Sequence, residues 1–212
     1  MKRFLSVLLF GLSLGSCAQH PSSDSTKANN TNLDSLQVAY FASGCFWCVE
    51  AVYESVEGVE EAVSGYSGGS IENPTYEQVS SGNTRHAETV KVYYDSSVVS
   101  YETLVEVFFN SHDPSTKNAQ GPDHGTQYRS IAFYQTEEEE AIIRKKIKEY
   151  LSNNSFSKIT TEVEKLDVFY PAEDYHQNYE RLHPNQPYVT SVSIPRLNRF
   201  KQKMPEVLKS NH

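Results

Sequence analysis

The chain has 212 residues, of which 38% are hydrophobic, 12% aromatic and 22% charged, with a formal net charge of -8. That length suits one well-filled domain, since a domain takes roughly 150 residues, and the composition is globular rather than disordered. The acidic balance argues against a nucleic-acid partner, because holding phosphates needs clustered Lys and Arg.

The first residues, MKRFLSVLLFGLSLGSC, combine a basic start (Lys2, Arg3), an apolar run over 4–14 and small residues before Cys17. The run is shorter than the roughly 20 residues of a bilayer span, so it reads as a secretory signal. Leu14, Gly15 and Ser16 before Cys17 resemble the lipobox of a bacterial lipoprotein signal. The resemblance implies that residues 1–17 end at a cysteine that becomes the lipid-bearing start of the mature chain. An ordinary signal peptide with an incidental Cys17 is the alternative. The expected placement is the bacterial cell envelope, lipid-anchored to a membrane on its periplasmic or extracellular face. Residues 18–35 are rich in Ser, Asn and Thr without hydrophobic periodicity and read as a flexible tether. Residues 36–205 remain as the folded domain, with a monomer as the default state.

LQVAYFAS (36–43) is rich in β-formers and reads as a strand, followed by a helix from near Cys45 through FWCVEAVYESV. VEEAVSGYSGG predicts a second strand and HAETVKVYYD a third. SYETLVEVFFNSHD predicts an amphipathic helix starting at Ser100, and TQYRSIAFY a fourth strand. Strand, helix, strand, strand, helix, strand is the ferredoxin-like split βαβ order, so an α+β two-layer domain is expected. TEEEEAIIRKKIKEYLSNN follows as a helix, with Thr136 and Glu139 in capping-box spacing. Its four consecutive glutamates therefore belong to helix-end electrostatics. Residues 161–185 supply one more strand and a short terminal helix after Pro171.

Cys45 and Cys48 are the only cysteines of the folded part. A structural zinc site needs four ligands, and neither a second C-x-x-C nor a well-spaced His pair accompanies them; His176 and His183 do not fit that pattern. No metal is expected. Two readings remain, a redox dithiol and a nucleophile with its helper. A cysteine at a helix start meets unpaired N–H groups and the positive end of the dipole, so Cys45 is expected to have a lowered pKa. Cys48, one turn on, can reach back to it. Phe46 and Trp47 between them suit either a core or a pocket for a small apolar group.

GCFWCVE resembles the active-site signature of the A-type peptide methionine sulfoxide reductases, and the resemblance continues through GYSGG, NPTYEQV, SGNTRHAE, GPDHGTQYRS and FYPAEDYHQNY. These stretches run over roughly residues 38 to 190. The resemblance implies an α+β fold, no cofactor, and oxidised methionine in peptides or proteins as substrate. It implies Cys45 as nucleophile and Phe46 and Trp47 as the pocket for the substrate methyl group. Glu88, Tyr76 and Tyr128 would gather around the sulfoxide oxygen, with Asp123 in support and His124 a neighbour without a role. Taken alone, Tyr76 and Tyr128 could be structural, and Asp123 could cap its turn.

The implied reaction begins with Cys45 attacking the sulfoxide sulfur while Glu88, kept neutral by burial, protonates the oxygen. This leaves methionine and a sulfenic acid on Cys45. Many relatives resolve that acid with a cysteine after a Pro-Tyr or Gly-Tyr pair. Here QPYVTS has Val189 at that place and no cysteine follows. Cys48 is then the resolving candidate, forming a Cys45–Cys48 disulfide that a thioredoxin-like dithiol reduces. The rivals are a general thiol-disulfide oxidoreductase and a binding lipoprotein with a static disulfide.

Overall fold

The computed structural model describes residues 33–210; the expected signal segment 1–17 with Cys17, and the tether up to residue 32, lie outside the described residues. Tether residues Leu33–Ser35 form a single 3-10 turn. The elements then run β1 (Gln37–Ser43), α1 (Phe46–Glu54), β2 (Val59–Ser67), α2 (Tyr76–Ser80), β3 (Ala87–Tyr94) and α3 (Tyr101–Asn110). A two-residue pair follows, β4 (Ala119–Gln120) and β5 (Asp123–His124), before β6 (Ser130–Tyr134), α4 (Glu137–Ser152), β7 (Glu162–Lys165) and β8 (Tyr170–Pro171). The short helix α5 (Tyr179–Leu182) and the longer α6 (Ile194–Lys203) complete the chain.

The main sheet has the order β7-β6-β1-β3-β2-β8. Its inner four strands pair antiparallel, as the expected split βαβ unit requires. One strand is added at each edge, β7 parallel to β6 and β8 antiparallel to β2. The fold is therefore the α+β domain that the strand order predicts.

Side chains of a strand alternate between its faces, and in β1 both faces are buried. Phe41 points to the helix side, stacked on Tyr53 of α1 (5.1 Å) and Phe108 of α3 (5.3 Å). On the other side Tyr40, Ala42, Ile131 and Phe133 form a second cluster, covered by Leu166 and Phe169. The connection between β7 and β8 thus roofs a face that would otherwise expose apolar surface.

Three local expectations change. The fourth strand is confined to β6, because Gly125 (φ 139) starts a 3-10 turn over Thr126–Tyr128. At α4 the Thr136 hydroxyl accepts from Glu139 N as expected, but the Glu139 carboxylate reaches one residue further back, to Gln135 N (2.6 Å). The helix after Pro171 is not terminal: a π turn (Val189–Ser193) leads into α6, which buries Phe200 and Arg196. Pro195 stands just after the π turn, and Ile194, Leu197 and Phe200 repeat at helical spacing in IPRLNRFKQK, a pattern interrupted for the sequence reading by that proline. The packing extends to Leu208, which bridges to Val56.

Glu50 joins α1 to its surroundings. It is 2% exposed, accepts from the Ser64 hydroxyl of β2 and from the backbone N–H of Asn178, and so ties three segments together. Burial pushes its carboxyl from 4.5 up to about 8, with the Ser64 hydrogen bond opposing. Between those values the folded chain holds a proton that the unfolded chain has lost, so this group's contribution to stability falls as pH rises through that window. Glu50→Gln can accept from Asn178 and donate to Ser64. The variant is expected to lose less of its melting temperature than the parent between pH 5 and 8; parallel pH profiles in thermal unfolding would rule this assignment out.

Candidate active site

β1 ends at Ser43, and Gly44 turns the chain with φ +90, a conformation that glycine adopts without a Cβ clash. An added Cβ there would also sit 2.6 Å from Gln120 Cβ. Cys45 follows as the N-cap of α1, without a side-chain cap. The first free N–H of the helix, that of Phe46, instead donates to Glu88 Oε2 across the sheet at 2.9 Å. A helix start leaves such donors unsatisfied, and β3 supplies the acceptor.

Glu88 is 2% exposed. Burial pushes its carboxyl up to about 8, the Phe46 N–H opposing and the charges of Asp123 and Cys48 assisting. It therefore holds a proton near neutral pH. Tyr76, at the start of α2, and Tyr128, in the 3-10 turn before β6, share this surrounding. Burial and then the Glu88 charge raise both phenols, Tyr76 to about 12, and both also feel Cys45 and Asp123. The predicted residues Cys45, Glu88, Tyr76, Tyr128 and Asp123 are thus brought within electrostatic reach of one another.

The aromatic pair lies on the same side. Phe46 is 1% exposed, with ring centroids of His176, Tyr66 and Tyr76 at 5.0, 5.9 and 6.3 Å. Trp47 is partly exposed, stacked on Tyr179 at 3.8 Å, and its indole N–H donates to His176 Nδ1 at 3.2 Å. An indole only donates, so His176 accepts at Nδ1 and carries its hydrogen on Nε2.

The two thiols depart from expectation. Both are free and buried. Burial pushes the Cys45 thiol well above its ordinary value, with the Cys48 hydrogen bond and the Glu88 charge adding to it; the Trp47 N–H lowers it only in part. Desolvation outweighs the helix N-terminus. Cys48 is lowered to about 6, first by the hydrogen bond from Cys45 and further by Arg196. In the reduced site the Cys45 thiol donates to Cys48, which raises the first and lowers the second.

Several site residues are absent from the sequence reading. Tyr188 donates its hydroxyl to Asp123 Oδ2 at 2.5 Å and lies 3.9 Å from Cys48 Sγ. Asp123 is thus bonded to a phenol, not capping its turn, and burial raises its carboxyl. Arg196 of α6 is buried, and its hydrogen bonds go to neutral oxygens, Ser111 O, Ser43 O and Ser43 Oγ. Glu173 accepts from Tyr66 Oη and Tyr76 N, both at 2.9 Å, and so fixes the start of α2. Glu173 and His176 stand within FYPAEDYHQNY, whose family resemblance was their one signal. His124 is exposed on β5. Among the described residues no cluster of three or more His, Cys, Asp or Glu could hold a metal ion.

Residues 37–208 match the family described as peptide methionine sulfoxide reductase. The peptide methionine sulfoxide reductase MsrA of Pasteurella multocida (strain Pm70) is 49% identical over 173 residues, 82% of this chain and 99% of that protein. The MsrA of Saccharolobus solfataricus is 45% identical over 174 residues, 82% of this chain and 98% of that one. Among solved structures, methionine sulfoxide reductase A of Corynebacterium diphtheriae aligns with a TM-score of 0.66 at 33% identity, covering 70% of this chain and 75% of that one. Reduced Mxr1 from Saccharomyces cerevisiae aligns with a TM-score of 0.65 at 33% identity, covering 70% and 86%. With its α+β sheet, its buried thiol pair and these relatives, the chain belongs to the peptide methionine sulfoxide reductases, oxidoreductases that return methionine sulfoxide to methionine.

Proposed function

We propose that the domain reduces the S epimer of methionine sulfoxide in peptides and proteins, with Cys45 as nucleophile and Glu88 as proton donor. The observation that carries this reading is the buried Glu88 carboxyl, raised to about 8 and bonded to the first N–H of the helix that begins at Cys45. A sulfoxide sulfur is a poor electrophile until its oxygen is protonated, and a neutral carboxyl beside the thiol meets that need. Thiol-disulfide exchange has no oxygen to protonate.

Cys45 sulfur attacks the sulfoxide sulfur as its shared proton moves to Cys48, and Glu88 transfers its proton to the oxygen. The S–S bond made by the attack then breaks as the protonated oxygen passes from the substrate sulfur to Cys45, so the substrate loses its S–O bond, methionine leaves and Cys45 is left as a sulfenic acid. Phe46 and Trp47 hold the methyl group. Tyr76 and Tyr128 donate to the sulfoxide oxygen, and a buried donor left without an acceptor costs about 1 to 3 kcal/mol, which favours the oxidised substrate over the product. Cys48 then attacks Cys45, releasing water and forming the Cys45–Cys48 disulfide, and an external thioredoxin-like dithiol reduces it. Val189, buried where relatives often carry a cysteine, supports Cys48 in that role. The basic start, apolar run and small residues before Cys17 support a lipid anchor and a place in the cell envelope, with the domain acting as a monomer.

With dithiothreitol as reductant, the chain is expected to consume only the S epimer of a methionine sulfoxide peptide; consumption of neither epimer would defeat the proposal. Because Glu88 must hold its proton, kcat/KM should fall as pH rises through about 8. Glu88→Gln should lose about 10²- to 10⁴-fold and with it that limb of the profile, and an unchanged profile would remove Glu88 as the donor. Mass spectrometry of the mature chain should find diacylglycerol on Cys17, and an unmodified Cys17 would refute the anchor.

A further inference from the structure

Tyr188 stands between two groups that the reaction treats separately. Its hydroxyl is 2.5 Å from Asp123 Oδ2 and 3.9 Å from Cys48 Sγ. A phenol has one hydrogen, and here Asp123 receives it. Toward Cys48 the same oxygen is then free to accept, so a proton arriving on Cys48 finds an acceptor 3.9 Å away. Ser193, the other hydroxyl beside Cys48, is committed likewise, since its hydrogen goes to Glu180. Both hydroxyl hydrogens beside Cys48 thus lead on to a carboxylate, Asp123 or Glu180.

The need for such a path arises once in the cycle. When Cys45 attacks, the proton that the two sulfurs share passes to Cys48, which is then a thiol and a poor nucleophile, since the thiolate is the reactive form. Cys48 must lose that proton before it can attack the sulfenic acid. We propose that Tyr188 and Asp123 form a proton relay for the resolving thiol: as Cys48 attacks Cys45, its proton passes to the Tyr188 oxygen while the Tyr188 hydrogen passes to Asp123. The proposal rests on the reading of Cys48 as the resolving residue.

The atoms balance. The S–S bond forms and the S–O bond of the sulfenic acid breaks. Hydroxide departs as water with a proton from Glu88, regained from solvent after the first step. Cys48 is oxidised as the sulfenic sulfur is reduced to the disulfide level. Asp123 ends protonated and borders a cavity of about 170 Å³, lined also by Cys48, Tyr188, Arg196 and Arg199, through which the proton reaches solvent. The charged and titratable groups facing the relay are Cys45 at the start of α1, Tyr76 on α2, Glu88 on β3, His124 beside Asp123 on β5, Tyr128 in the 3-10 turn before β6, Glu180 on α5 behind Ser193, and Arg196 and Arg199 on α6. Arg196 stabilises the charge on either Cys48 or Asp123, so it holds the path open without fixing the proton at one end. Tyr188 and Asp123 are in this role positioning and proton-carrying groups for Cys48, with Asp123 also adjoining the oxygen-binding set around Glu88.

The test follows one turnover without reductant, measuring methionine formed and, by acid quench, alkylation and mass spectrometry, the disulfide in the peptide that carries Cys45 and Cys48. In the unaltered chain both signals should rise together at pH 7. Tyr188→Phe should keep its burst of one methionine per chain but form the disulfide at least tenfold more slowly at pH 7. The lag should shrink as pH rises and Cys48 ionises by itself, and dimedone should trap the Cys45 sulfenic acid meanwhile. Asp123→Asn, which leaves the phenol in place, should show the same pH-dependent lag of disulfide behind methionine. Disulfide formation in Tyr188→Phe as fast as in the parent, or slowed equally at every pH, would overturn the relay. If the unaltered chain forms methionine while Cys48 stays a free thiol, and Cys48→Ser turns over as well as the parent with a thioredoxin-type donor, the resolving assignment itself fails and the relay with it.

Discussion

The hydrogen bond from Phe46 N–H to Glu88 is the contact on which the site depends. It joins the first turn of α1 to the middle of the sheet, and it sets a carboxyl beside the thiol at the helix start. One oxygen of that carboxyl satisfies a donor that would otherwise be orphaned, while burial keeps a proton on the group. A fully exposed glutamate would make the same hydrogen bond and carry no proton at neutral pH. Location in the core, more than the bond itself, gives Glu88 its chemistry.

The C-terminal segment completes what that bond begins. Arg196 reaches from α6 to the end of β1 through Ser43 and to the end of α3 through Ser111. Its charge is not cancelled by a carboxylate bound to it, so it acts on the nearby Cys48, Asp123 and His112. A buried guanidinium with neutral partners is a source of positive potential inside the fold. Here it works together with the Cys45 hydrogen bond to lower the thiol of Cys48.

Much of this was legible in the sequence, and the reasons for the gaps are physical. The split βαβ order is written in local runs of β-formers and in one amphipathic helix, so the inner four strands and α1 and α3 were readable. The residues around Glu88 stand in stretches that carry the family resemblance. Tyr188 and Arg196 were not readable because their partners lie 65 and 153 positions away, and no local pattern encodes such a distance. The thiol pair was read in the wrong direction for a different reason. A helix start and burial act oppositely on Cys45, and sequence reveals the first but not the extent of the second.

Val189 has a consequence beyond that missing sulfur. A thiol placed far along the chain must be carried to the nucleophile, and the segment bearing it must therefore be loose enough to travel. In the proposed Cys45–Cys48 disulfide both sulfurs lie in one helical turn, and that requirement disappears. Val189 is fully buried, Phe200 is 1% exposed, and Leu208 is tied back to Val56. The last part of the domain is released from transport and serves as scaffolding, bracing from behind the same helix turn in which the sulfurs meet.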